Sequence, residues 1–113
     1  MGAPVTWFEV ASSEPSELFT FYTKVFGWNV QEVEGGYGVV DTGSGSGIAG
    51  GIGKADGPNQ VTFYIEVDDP QAFIKRVESN GGKTVVPVTE TPMVTFAQFA
   101  DPQGNVIGVV KSA

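Results

Sequence analysis

Histidine and cysteine are both absent from this 113-residue chain, and its one arginine is Arg76. Without cysteine there are no disulfides, thiolate zinc sites or cysteine nucleophiles, and without histidine the commonest neutral-pH acid/base and metal ligand is missing. A metal would need oxygen ligands alone, and a general base would be a carboxylate, a lysine or a tyrosine. Positive charge is scarce as well: 6 Lys and Arg stand against 13 Asp and Glu, for a formal charge of −7. That balance excludes a protein that tracks nucleic-acid phosphates. No run approaches the roughly 20 apolar residues of a membrane span, and the N-terminus lacks the basic-then-apolar signature of a signal peptide. The cytoplasm is therefore the expected compartment, with no membrane partner. What is present is 41% hydrophobic and 12% aromatic residues, enough for one core and too few for two ordinary domains, so residues 1–113 are expected to form a single domain.

Val5–Val10 is β-branched and aromatic and ends in a Ser-Ser-Glu-Pro turn cluster, which reads as a strand. Ser13 offers an N-cap for a helix whose apolar positions Leu18, Phe21, Tyr22, Val25 and Phe26 fall on one face, with Gly27 placed to stop it. Trp28–Glu34, Tyr37–Thr42 and Ile48–Ile52 follow as three short strands joined by glycine-rich turns. A second strand-helix pair then begins at Val61–Val67, with Asp69-Pro70 as N-cap and first helical residue, and Phe73, Ile74 and Val77 as the buried face. Asn80-Gly81-Gly82 ends that helix. Lys83–Val88, Thr95–Ala100 and Asn105–Val110 are its three strands, the last two joined by an Asp101-Pro102-Gln103-Gly104 turn.

The order β-α-β-β-β thus occurs twice. Aligning Trp7 with Thr62 puts Phe8 on Phe63 and Val10 on Ile65, an offset of 55 residues, close to half the chain. The predicted architecture is α+β, with module 1 at about 4–53, a linker at 53–60 and module 2 at about 61–110. The glycine run Gly43–Gly53 has the composition of a phosphate-cradling loop, but no Lys-Ser/Thr ends it and no helix follows, so it reads as a hairpin tip.

The string Phe21-Tyr22-Thr23-Lys24-Val25-Phe26-Gly27-Trp28 resembles the "FYxxxFG" signature of the glyoxalase, bleomycin-resistance and extradiol-dioxygenase superfamily, the vicinal oxygen chelate fold. Phe99-Ala100-Asp101-Pro102-Gln103-Gly104-Asn105-Val106-Ile107 resembles its closing hairpin, and Val67-Asp68-Asp69-Pro70 and Gly81-Gly82-Lys83 fall in the right order between them. The resemblance implies two tandem βαβββ modules forming cupped mixed sheets around a cavity. In metal-dependent members it implies three ligands on the strands, and the corresponding positions here are Trp7, Thr62 and Gly108. An indole N–H, one neutral hydroxyl and a missing side chain cannot replace them, so no metal or other cofactor is expected. Gly50, at the matching place in module 1, supplies no substitute.

Strand alternation assigns the rest of the cavity, because side chains two apart share a face. Trp7, Glu9, Thr62 and Tyr64 point inward together, with Phe96, Gln98 and Val106 from later strands, giving aromatic walls with a few polar groups. Three functions fit. The first is metal-independent binding of a small molecule, a cationic or aromatic drug-like ligand, in the manner of bleomycin-resistance proteins; the net charge agrees with a cation. The second is an enzyme related to the superfamily's lyases, isomerases and dioxygenases, with Glu9 as base and Tyr64 as proton donor. The third is an assembly module whose cavity is closed by its own Trp7 and Phe96. Binding is favoured over catalysis because the family's catalytic equipment is missing rather than altered. A homodimer is expected from the resemblance and from the open sheet edges that a small domain of this kind leaves.

Overall fold

The computed structural model describes residues 2–113. The chain divides into two compact units, one formed by Trp7–Thr62 and the other by residues 2–6 with Phe63–Ala113. Elements run β1 (Val5–Ser12), α1 (Pro15–Phe26), β2 (Asn29–Glu32), β3 (Gly38–Asp41), β4 (Ala49–Lys54), β5 (Gln60–Val67), α2 (Pro70–Ser79), β6 (Lys83–Glu90), β7 (Thr95–Ala100) and β8 (Val106–Lys111). The class is α+β, and the order β-α-β-β-β occurs twice as the sequence led us to expect.

In the first unit the strand order is β2-β3-β4-β1. Two antiparallel hairpin pairings bring β4 alongside β1, and that last pairing is parallel, with Phe8 opposite Gly50 and Glu9 opposite Gly51. Helix α1 supplies the crossover that a parallel pair requires. Phe8 and Val10 alternate with Trp7 and Glu9 along β1. The core residues Ile52 and Val40 are fully buried. Gly50 and Gly38 leave room on the sheet for the rings of Phe8 and Phe19, since a Cβ at either would overlap them.

Helix α1 departs from expectation at its start. Its N-cap is Glu14, not Ser13, and no side chain caps it; Ser12 Oγ instead accepts from the Glu14 N–H at 3.2 Å. None of its residues is buried, and Phe21, Val25 and Phe26 of the apolar stripe are 50%, 56% and 62% exposed. Tyr22 stacks on Trp28 with centroids 4.8 Å apart, and Phe8 and Phe26 lie at 5.4 and 5.9 Å from the same indole, forming an aromatic cluster at the helix end. Gly27 ends the helix as expected: at φ 73° it adopts the left-handed conformation, and its N–H donates to Thr23 O.

The second unit has the matching order β6-β7-β8-β5, with β5 and β8 parallel. Its core is Val67, Ile74, Ala97 and Val109, with Ile65, Phe73, Val88 and Phe99 packed against it. Asp69 caps α2 through an Ala72 N–H at 3.3 Å, and Pro70 occupies the first turn. Strand β6 runs to Glu90, beyond the expected Val88, and the register shifts between Val86 and Thr89 accommodate Pro87 at this edge of the unit's sheet. The loop carrying Met93 is consequently shorter than expected. No helix among the described residues is long and apolar enough to cross a membrane.

Candidate functional site

Each unit carries a polar cluster on a strand face. In the first, Glu9 Oε1 accepts two hydrogen bonds, from Tyr37 Oη at 2.7 Å and from Trp7 Nε1 at 3.1 Å. Alternation on β1 puts Trp7 and Glu9 on the same face. Tyr37 reaches them from the turn before β3, and it does so because Gly51 and Gly53 of β4 have no side chains: a Cβ at Gly51 would overlap the Tyr37 phenol, and one at Gly53 would lie 2.8 Å from Tyr37 Cδ1. Glu9 and Gly51 are direct partners in the parallel ladder, so the phenol fills the place beside the carboxylate that a β4 side chain would otherwise take.

The second cluster has the same plan with different residues. Tyr64 and Gly108 are parallel-ladder partners, and Gln98 faces Gly108 across the β7–β8 pair. The Tyr64 ring lies over Gly108, where any Cβ would overlap it, and Gln98 Nε2 donates to Tyr64 Oη at 2.8 Å. Phe96 meets the Tyr64 ring edge-on with centroids 6.4 Å apart. Val106, opposite Ala100, shares this face by alternation. Tyr64 and Thr62 are each 7% exposed, whereas Trp7, Glu9, Phe96, Gln98 and Val106 are half-buried.

Of the residues singled out from sequence, the structure therefore brings Trp7 to Glu9 and Tyr64 to Gln98 and Phe96. Glu9 and Tyr64, paired in the enzymatic reading, fall in different compact units. Sequence reasoning missed Tyr37 and the glycines beneath it. Their signal was present: two glycines two residues apart in a strand mark one face where another group approaches closely. Two shallow depressions of about 220 and 260 Å³ lie elsewhere, one lined by Thr91–Thr95 and Lys111–Ala113, the other by Phe19, Thr20, Thr23, Lys24 and Val30.

The family model for the Glyoxalase/Bleomycin resistance protein/Dioxygenase superfamily matches residues 5–109. The chain belongs to this superfamily. It is 30% identical over 128 aligned positions to the anthracycline biosynthesis protein DnrV of Streptomyces peucetius, covering 96% of this chain and 46% of that protein. It is also 30% identical over 118 positions to the putative glyoxylase CFP32 of Mycobacterium bovis, covering 96% of this chain and 45% of that protein. The chain thus spans less than half the length of these curated relatives. Among solved structures, methylmalonyl-CoA epimerase from Mycobacterium tuberculosis superposes with a TM-score of 0.71 at 15% identity, over 96% of this chain and 87% of that one, a likeness of fold.

Superfamily membership raises the question of a metal at Trp7, Thr62 and Gly108. The residues do not fit one. The indole N–H of Trp7 is a donor already engaged with Glu9, and Thr62 offers one neutral hydroxyl. At Gly108 the space that a ligating side chain would enter holds the Tyr64 ring. No group of three or more His, Cys, Asp or Glu among the described residues is placed to hold an ion.

Proposed function

We propose that this superfamily member binds a small molecule without a metal, on a strand face of the kind formed by Trp7, Glu9 and Tyr37 in one unit and by Tyr64, Phe96 and Gln98 in the other. The ligand is a cationic or aromatic drug-like compound. The observation that carries the reading is the Tyr64 ring seated on Gly108: aromatic surface and an amide-supported phenol stand where the family's ligating carboxylate would be. Rings of this kind contribute stacking of about 1 kcal/mol beyond their burial. The relatives' names, one from anthracycline biosynthesis and one a putative glyoxylase, are compatible with either binding or chemistry on organic molecules.

A second reading, catalysis with Glu9 as base, rests on the carboxylate's Oε2, which has no hydrogen-bond partner among the described residues. Extraction of small molecules from protein purified from its source, followed by incubation of the identified compound with fresh protein, separates the two. Stoichiometric recovery of unchanged compound supports binding. Consumption that is abolished in Glu9→Gln supports catalysis and overturns the first reading.

We also propose a homodimer, supported by the exposed Phe21, Val25 and Phe26 on α1, an apolar surface of the kind that marks protein contacts. Sedimentation equilibrium at micromolar protein checks it, and a monomer mass throughout contradicts it.

A further inference from the structure

The hydrogen bonding around Glu9 is one-sided. Tyr37 Oη and Trp7 Nε1 both donate to Oε1, at 2.7 and 3.1 Å, while Oε2 accepts nothing among the described residues. The same carboxylate has no ion pair there, although the chain holds 6 Lys and Arg. A carboxylate accepts at both oxygens, through about four lone-pair positions. Two donors placed on one oxygen fix the orientation of the group and leave the other as an acceptor for an incoming donor. The short phenol contact is in the range of charge-assisted O–H···O bonds, the stronger class.

We propose that Tyr37 is a positioning residue that locks Glu9 with Oε2 presented to ligand, and that the group taken there is a protonated amine. This rests on the small-molecule-binding reading above and deepens it. The lock is built into the backbone: Gly51 and Gly53 exist as a gap in β4 that seats the Tyr37 ring beside its ladder partner Glu9. The preference for an ammonium over a neutral hydroxyl follows from a carboxylate that has no ion-pair partner among the described residues. A charge-assisted hydrogen bond to the carboxylate favours the amine. Trp7 acts as the second donor to Oε1.

The test uses benzylamine and benzyl alcohol at neutral pH, which share a ring and differ in the donor. Binding is followed by NMR of the indole N–H signals, of which the chain has two, Trp7 and Trp28, assigned with Trp7→Phe. The intact protein is expected to bind benzylamine at least tenfold tighter than the alcohol, by the energy of a charge-assisted over a neutral hydrogen bond. Tyr37→Phe keeps the ring on its glycines and removes the hydroxyl; it is expected to weaken the amine about three- to tenfold and the alcohol by a smaller factor, narrowing the preference. Glu9→Gln abolishes the preference. Trp7→Phe provides an independent check, with a loss in the same direction. An amine preference unchanged in Tyr37→Phe, with only thermal stability reduced, assigns the phenol a structural role and overturns the lock. Equal affinity for the two compounds in the intact protein also overturns it while leaving small-molecule binding in place. No binding of either compound overturns it too, and the binding reading then rests on the extracted ligand alone.

Discussion

Replacing Gly108 by alanine is the sharpest perturbation of the second cluster. The new Cβ falls inside the ring of Tyr64, a residue 7% exposed, so the far end of the side chain has no solvent to swing into without unburying. Overpacking a buried site costs about 1–3 kcal/mol. If the ring is pushed aside, the Gln98–Tyr64 hydrogen bond at 2.8 Å is lost with it, adding about 0.5–1.5 kcal/mol. The expected total is about 2–4 kcal/mol, a large fraction of the roughly 5–15 kcal/mol that stabilises a domain of this size. At about 4 °C per kcal/mol, the thermal midpoint falls by on the order of 10 °C. A double-mutant cycle measured by urea unfolding isolates the cause. In a Tyr64→Val background the ring is gone, and Gly108→Ala is expected to cost less than about 0.5 kcal/mol, the spread of uncoupled surface-like changes. An equal cost in both backgrounds refutes the claim that Gly108 is small because Tyr64 lies on it.

Gly51→Ala is expected to displace the Tyr37 phenol from Glu9, visible as a shift of the Trp7 indole N–H signal that Gly43→Ala, at the exposed turn, does not produce. Asp69→Ala removes the cap on the Ala72 N–H and is expected to cost α2 about 1 kcal/mol in urea unfolding. Asp101 is held below the ordinary aspartate value by the Asn105 side-chain amide, then by the Asn105, Gln103 and Gly104 backbone N–H groups. Its folded-state value is therefore the lower one, so its contribution to stability is full above the unfolded value of about 4 and is lost as pH falls through the folded one. Asp101→Ala is expected to flatten the pH dependence of the thermal midpoint below pH 4, and an unchanged slope there contradicts the assignment.

The elements that were legible in the sequence are those written locally. Gly27 as a left-handed stop, Asp69-Pro70 as a helix start and the Asp101–Gly104 turn each depend on contacts within a few residues, and all three are in place. The stripe on α1 was legible as one face, but periodicity does not say how much of that face a neighbour covers. Phe21, Val25 and Phe26 remain on the surface, while Phe19, off the stripe, is the ring that covers Gly38. The candidate site was half legible. Alternation placed Trp7 with Glu9, but Tyr37 and Gly51 become meaningful only once β4 is known to lie parallel to β1, a pairing set by a crossover of some forty residues that no local pattern encodes. For the same reason Gly108 read from sequence as a lost ligand, whereas the β5–β8 pairing shows it as the floor beneath Tyr64.

The Tyr64 ring fills the space over Gly108, the Trp7 indole N–H is engaged by Glu9, and Thr62 offers one neutral hydroxyl, so these three positions are expected to hold no metal ion. Equilibrium dialysis of the purified chain against micromolar zinc, manganese, nickel and ferrous ions, with metal content measured per chain, checks this. No stoichiometric retention of any of the four is expected, in the protein as isolated and after dialysis alike. One tightly held ion per chain, released by Thr62→Val or by replacement of Glu9, would contradict it.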